Sequence, residues 1–293
     1  MTKAVESTDI GPAGRRIDAG GIDTNYHEFG EGFPLILLHG SGAGVTGWEN
    51  WHGVMHDLAK QYRVIVPDIV GFGLTSIPDG IELNIKIWVR HLIDLMDALN
   101  IQKAALVGNS FGGALALATS MRHGDRVERM VLMGTPAGDF VRADNAGSSW
   151  HYEPSLENMG KLLRHFPYDP SWVTEDMVRQ RYETSLKTDS TLAYRKLFPE
   201  PSKTNEPKVI HGIPEERLDS IQTPVLVLHG REDKMVPVEC GWRIASRCAN
   251  ADLHVFSKCG HWVQIERRTS FIKLTVDFLT SLQHQSVGKG AVL

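Results

Sequence analysis

The sequence predicts an α/β fold: a mostly parallel, doubly wound sheet with a helical cap inserted between two core strands. Three observations carry that expectation. Short Val-, Leu- and Ile-rich runs recur along the chain, each bounded by Gly, Pro or Asp and none alternating polar with apolar. Such runs fit strands buried on both faces, as in a parallel sheet covered by helices. Longer segments with apolar residues three and four apart separate them, which implies right-handed crossovers. One stretch, residues 137 to 212, holds only helical patterns.

Taken in order, NYHEFG (Asn25 to Gly30) reads as an early antiparallel strand. PLILLHG (Pro34 to Gly40), RVIVPDI (Arg63 to Ile69), KAALVGN (Lys103 to Asn109) and RMVLMG (Arg129 to Gly134) read as core strands, followed after the insertion by PVLVLHG (Pro224 to Gly230) and DLHVF (Asp252 to Phe256). Helices are expected over Ile85 to Asn100, directly after Asn109, and over Ser270 to Leu282. Within the insertion, LENMGKLLRHF, TEDMVRQRYETSL and STLAYRKLF are helical candidates. The segment reads as a cap over the strand ends, with extra crossover helices as the plainer alternative. The domains are accordingly 1–136 with 213–293 as core and 137–212 as cap. The last ten residues read as a loose tail.

The chain has 293 residues, enough for one large domain with an insertion. A net charge of -4 argues against a nucleic-acid or anionic-membrane partner. The N-terminus has no continuous apolar signal core, and no run approaches a membrane span, so the cytoplasm is the expected compartment. Three cysteines, Cys240, Cys248 and Cys259, form no CxxC pair and give no disulfide framework; the first two are expected to pack on one helix. Thirteen histidines show no metal-ligand spacing, so neither metal nor cofactor is expected.

LVGNSFGG (Leu106 to Gly113) places one serine among glycines between a strand and a helix. A helix-capping serine in an ordinary connection would account for it. G-x-S-x-G in this context is, however, the pattern of a nucleophile elbow, whose sharp turn lifts the Ser110 hydroxyl to the top of a sheet. A hydroxyl is a weak nucleophile and needs a base, and in such folds the order along the chain is Ser, acid, His. Asp233 in HGREDKMVP and His261 in KCGHWVQIE follow in that order, each just past a predicted strand, where ligands bind in open α/β sheets. Glu232 competes with Asp233. His39 and His229 also stand before glycines at strand ends, but His39 precedes the elbow and breaks the order. HGSGAG (His39 to Gly44) is a candidate oxyanion loop, with Ser41 and Phe111 as the expected backbone N–H donors. A phosphate cradle is the alternative for that loop, although it matches neither G-x-G-x-x-G nor a Walker pattern.

HGSGAGVTGWENW, RVIVPDIVGFG, LVGNSFGG, HGREDKMVP and HVFSKCGHW, in this order, resemble the meta-cleavage-product hydrolases of the α/β-hydrolase superfamily. The resemblance spans roughly Asn25 to Leu282. GVTGWENW, VGNSFGG and WHYEPS make it closest to the 2-hydroxymuconate semialdehyde hydrolase branch. It implies hydrolysis of a carbon–carbon bond in 2-hydroxy-6-oxohexa-2,4-dienoates, in bacterial degradation of aromatic compounds, by a homo-oligomer with no cofactor. It further implies Ser110, Asp233 and His261 as the triad and Ser41 and Phe111 as oxyanion donors. Asn109, Asn50, Gly42, Trp262 and Arg181 would hold the dienoate's carboxylate and 2-oxo group, and Phe166 and Met235 would line the ketone side. Phe111 and Ala43 stand where many members carry Met and Pro. On its residues alone Arg181 reads as a solvated helix arginine and Trp262 as a packing residue. A carboxylesterase using the same triad, and a non-catalytic receptor on the same fold, are the competing functions.

Overall fold

The computed structural model describes residues 11–141, 152–187 and 209–280. Eight strands form one sheet: β1 (Arg15–Asp18), β2 (Asp23–Phe29), β3 (Pro34–Leu38), β4 (Arg63–Pro67), β5 (Ala104–Asn109), β6 (Val127–Met133), β9 (Val225–Gly230) and β10 (Ala251–Phe256). Their spatial order is β1-β2-β4-β3-β5-β6-β9-β10. β1, β2 and β4 pair antiparallel in turn, and every pairing from β4 through β3 to β10 is parallel.

The central strands are apolar at every position because the sheet has two covered faces. Ile36, Leu38, Leu106, Met130, Leu132, Val225 and Val227 enter one core. Their neighbours Leu35, Leu37, Val107, Val131, Met133, Leu226 and Leu228 enter the other. Side chains alternate across a strand, so an uninterrupted apolar run feeds both layers. α2 (Ile85–Ala98) and α3 (Phe111–Arg122) cover the first face with Trp88, Leu92 and Leu115. α1 (Gly47–Leu58) contributes Trp51 and Val54 to the second, facing Phe271. Each fully buried side chain of this size adds about 1.5–3 kcal/mol of transfer free energy.

Helix starts follow their capping residues. Thr46 Oγ1 accepts the Glu49 N–H at 3.0 Å, and Asn84 Oδ1 accepts those of Lys86 and Ile87. Of the insertion, α4 (Leu156–Leu163) and α5 (Glu175–Lys187) match the first two helical candidates. STLAYRKLF, the tail after residue 280 and part of WHYEPS lie outside the described residues.

Three sequence expectations need correction. The insertion is not purely helical: β7 (Asp139–Val141) and β8 (Val209–His211) pair antiparallel. Strands of three residues are too short to show a period. β1 was not expected either; its burial is mostly exposed and its sequence, RRID, is polar. It is a strand because Gly20 and Gly21, both at positive φ, turn the chain back so that Arg15 pairs with Tyr26. Cys248 falls just beyond the helix that carries Cys240, α6 (Val238–Arg247), at its C-cap.

Candidate active site

The turn after β5 is built for close approach. A Cβ at Gly112 would lie 2.2 Å from the Leu38 carbonyl oxygen, and one at Gly108 would lie 2.5 Å from the Gly113 nitrogen. Ser110 has φ 53 and ψ -115, a left-handed conformation that a side-chain-bearing residue rarely takes. The turn is tied down from below, because the Ser110 N–H donates to the Met133 carbonyl at 2.7 Å. Ser110 stands at the N-cap of α3 yet makes no side-chain capping bond, so the capping explanation of this serine fails.

Asp233 and His261 come from different loops and meet. His261 Nδ1 lies 2.7 Å from Asp233 Oδ2, with both side chains buried. Asp233 Oδ1 accepts the N–H groups of Met235 and Val236 at 2.8 and 3.0 Å. Burial alone would raise the Asp233 pKa, but His261, its hydrogen bond, His229 and the Val236 N–H outweigh it and hold the carboxyl below its ordinary range. An ionised Asp233 fixes the proton on His261 Nδ1 and leaves Nε2 as the basic nitrogen. No hydrogen bond joins Ser110 to His261 among the described residues. In unliganded enzymes such a bond is often long and tightens in the substrate complex.

The competing residues are engaged elsewhere. Glu232 accepts hydrogen bonds from Arg231 and from the Cys259 N–H. His39 uses both ring nitrogens, Nδ1 donating to the Gly40 carbonyl and Nε2 accepting the Ile69 N–H. Its burial lowers its pKa to about 4, so it is neutral. His229 donates Nε2–H to the Val236 carbonyl and stands 3.6 Å from Asp233 Oδ2; burial lowers its pKa.

The glycine-rich loop after β3 lies against the elbow: a Cβ at Gly40 would sit 3.4 Å from Ser110 Cβ. Ser41 is half-buried on this loop. Phe111 opens α3, where a backbone N–H has no intrahelical acceptor. Its side chain packs edge-on against Trp88, at 4.8 Å, and against Phe72, so it belongs to the core.

The remaining candidates converge on the same place. Arg181 in α5 is buried, not solvated, and donates Nε–H to the Ala43 carbonyl at 3.1 Å. A Cβ at Gly42 would lie 3.5 Å from Arg181 Nη2, and one at Gly44 only 2.1 Å from the Arg181 carbonyl oxygen, so the loop's glycines let the cap helix settle onto it. Burial lowers the Arg181 pKa to about 10, leaving it charged at neutral pH. Asn109 Nδ2 donates to the His261 carbonyl at 3.4 Å, and Asn50 Oδ1 accepts the Gly40 N–H. Phe166 stacks on Trp262 with centroids 5.0 Å apart, and its carbonyl accepts the His261 N–H at 2.8 Å. Met235 is buried beside Asp233.

Three residues that the sequence did not single out complete this region. Glu49 and Gln264 line a cavity with Asn50, Met177, Arg181 and Trp262. The Glu266 carboxylate accepts the N–H groups of Gly260 and Tyr168, joining the histidine loop to the cap. Among the described residues no group of three or more His, Cys, Asp or Glu could hold a metal, and no helix is long and apolar enough to cross a membrane.

Residues 34–268 match the family described as alpha/beta hydrolase fold. The chain is 43% identical over 268 residues to a 2-hydroxy-6-oxo-2,4-heptadienoate hydrolase from Pseudomonas putida, covering 92% of this chain and 96% of that one. It is 42% identical over 268 residues to a 2-hydroxymuconate semialdehyde hydrolase from a Pseudomonas species, covering 91% and 93%. Among solved structures it is similar to a meta-cleavage product hydrolase from Pseudomonas fluorescens, with a TM-score of 0.84, 42% identity, and 92% and 99% of the two chains covered.

Proposed function

The chain belongs to the α/β-hydrolase family, among its meta-cleavage-product hydrolases, and from that premise we propose how its residues divide the work of cleaving a carbon–carbon bond. The substrate is 2-hydroxymuconate semialdehyde or a small 6-alkyl homologue, and the products are 2-hydroxypenta-2,4-dienoate and a carboxylic acid. Arg181, Asn50, Asn109 and Trp262 hold the carboxylate and the 2-oxo group over Gly42. A planar guanidinium suits two-point contact with a carboxylate. Phe166 and Met235 line the ketone side.

A carbanion is a poor leaving group, so the electrons of the breaking bond need somewhere to go. Proton transfer through His261 first converts the dienol to its keto tautomer. The departing carbon can then leave as a dienolate, with its charge spread towards Asn109, Arg181 and Trp262. Ser110 and His261 then drive addition of one water to the ketone carbon, directly or through an acyl ester on Ser110 that the water hydrolyses. The bonding pair leaves with the dienolate, which is reprotonated, and the water oxygen ends in the carboxylic acid. The N–H groups of Ser41 and Phe111 receive the oxyanion, each such donor contributing on the order of 3 kcal/mol. General acid–base transfer by His261 contributes about 10² to 10⁴ in rate.

The observation that carries this assignment is the 2.7 Å contact between His261 and Asp233. It lies in one site with the Ser110 elbow and the buried cap arginine. The cap is assigned to 137–212, which the pairing of β7 with β8 supports, since it brings the two ends of the insertion side by side. A homo-oligomer is part of the same reading; Trp242, 65% exposed on α6, offers an apolar surface for it. The reading also takes the cytoplasm as its compartment, with which three buried free cysteines agree.

The test mixes the protein with 2-hydroxy-6-oxohexa-2,4-dienoate homologues and follows loss of the yellow dienolate absorbance, beside aryl esters. Turnover of a hydrogen- or methyl-substituted dienoate is expected. Rapid ester hydrolysis with no dienoate turnover would replace this reading by a carboxylesterase.

A further inference from the structure

The cavity beside Arg181 contains more polar capacity than one carboxylate-binding arginine requires. Glu49 is 7% exposed, and its Oε1 has no hydrogen-bond partner. Asn50 Nδ2 and Gln264 Oε1, also buried and lining the cavity, have none either. Arg181 uses Nε on Ala43, and among the described residues its terminal nitrogens make no hydrogen bond. Buried polar atoms left without partners are costly, and several on residues around one small cavity call for a small polar group there, such as one end of a carboxylate.

Glu49 is the unusual member. It stands three residues after the N-cap Thr46, the spacing of a capping box, in which the glutamate would accept the cap's own N–H. No such bond is made; the side chain turns into the cavity. The first turn of a helix favours the ionised carboxyl, but burial outweighs this and Arg181, and holds the Glu49 pKa above its ordinary range. Arg181 faces it from the cap and His52 from its own helix. The other cavity-lining residues, Asn50, Leu163, Met177, Trp262, Gln264 and Ile265, carry no charge. His39, close enough to feel Arg181, is neutral.

One cation cannot neutralise two carboxylates in a buried cavity. If Glu49 and the dienoate were both ionised beside Arg181, the site would carry a net negative charge. A proton on Glu49 removes that excess and turns an acceptor into a donor aimed at the ligand.

Resting on the proposed dienoate reading, we propose that Glu49 is a substrate-binding residue that acts as a neutral acid, donating a hydrogen bond to the carboxylate end of the dienoate while Arg181 provides the charge. Substrate binding then takes up one proton from solvent when Glu49 starts ionised. KM is low below the Glu49 pKa and rises above it, by about tenfold per pH unit at the limit of one proton. The kcat profile does not share that rise.

The experiment compares KM and kcat of the wild type and E49Q for 2-hydroxy-6-oxohepta-2,4-dienoate over about pH 5 to 9. Glutamine keeps a donor and cannot ionise. The substrate's own titration enters both profiles equally, so their difference belongs to Glu49. A rise in wild-type KM that E49Q lacks, with parallel kcat profiles, is the expected result. Coincident KM profiles would overturn the proposal. Proton uptake on mixing S110A with the dienoate, read with a pH dye in weak buffer at a pH where the wild-type KM is rising, tests it without altering Glu49. No uptake would overturn it as well. A wild type that turns over no dienoate removes the function itself, an outcome distinct from turnover with coincident profiles.

Discussion

Glu266 Oε2 accepts the Tyr168 N–H at 2.8 Å, and the same carboxylate accepts the Gly260 N–H at 3.0 Å, so one buried side chain clasps the cap to the loop that carries His261. The neighbouring Phe166 carbonyl accepts the His261 N–H at 2.8 Å. Base and cap are therefore positioned together. E266A leaves those backbone donors without partners, and each buried unsatisfied group costs about 1–3 kcal/mol. The expected outcome is a melting temperature lower by about 5 °C or more and a kcat reduced at least tenfold. E266Q, with one acceptor oxygen kept, falls between. Thermal unfolding and steady-state rates on the three proteins check this.

Asp233 fixes the tautomer of His261, and D233N removes the charge while keeping the shape. In a Ser-His-Asp triad the equivalent change lowers kcat by about 10⁴, and a loss of that order is expected here. A pH effect on stability accompanies it. The folded-state pKa of Asp233 is lowered, so the wild type gains stability above the ordinary carboxylate range and loses it as pH falls through the lowered value. D233N has no such term. Its melting temperature should approach that of the wild type as the pH drops from about 5 towards 3.

Ser110 lies at φ 53 with no capping role, so its replacement by alanine should leave the fold standing. S110A is expected to form no product yet still bind the dienoate, seen as a persistent shift in the substrate's absorbance. Normal turnover by S110A would take this residue out of the mechanism.

The sheet was legible because its central strands are buried on both faces; Leu35 to Leu38 feed two cores in alternation and leave no polar position. The meeting of Asp233 and His261 was legible because each stands just past a strand beside a glycine, in the order expected after Ser110. β1 and the β7–β8 pair were not, since polar or three-residue strands depend on their partners and not on their own pattern. Arg181 looked solvated among its charged neighbours. Only the packing of α5 onto Gly42 and Gly44 buries it. Glu49, Gln264 and Glu266 were missed for a related reason. Each reads as an ordinary polar helix residue, and only the T-x-x-E spacing at Thr46 gave Glu49 any signal, and that signal pointed to a cap.

Arg181 separates dienoate chemistry from ester chemistry. Its guanidinium lies beside Gly42 and donates to the Ala43 carbonyl. Among the described residues it makes no hydrogen bond or ion pair with Asp233 or His261, so R181A should spare that pair. Loss of a charge-assisted contact to a desolvated carboxylate costs about 2–5 kcal/mol, which predicts kcat/KM for dienoates lower by about 10² to 10³ or more. Small aryl esters, which carry no carboxylate, should lose less than about tenfold. R181K keeps the charge without the two-point fork and should fall between the two for dienoates. Equal losses on both substrate classes would mean that the arginine supports the fold and not the ligand.

Gly112 gives the most direct test of the elbow's geometry. Its missing side chain admits the Leu38 and His39 carbonyl oxygens, which would lie 2.2 and 2.7 Å from a Cβ. Both belong to backbone at the end of β3, in the middle of the sheet, so neither can rotate away. G112A must push α3 from β3 or open the turn, and overpacking of this kind costs about 1–3 kcal/mol or more. The same displacement would move the Phe111 N–H, the proposed oxyanion donor, from its place at the start of α3. G112A is therefore expected to lower both the melting temperature and kcat. G124A serves as the control, because a Cβ at Gly124 meets nothing within 4 Å and should leave both unchanged. A G112A protein as stable and as fast as the wild type would show that the turn can relax without moving the site.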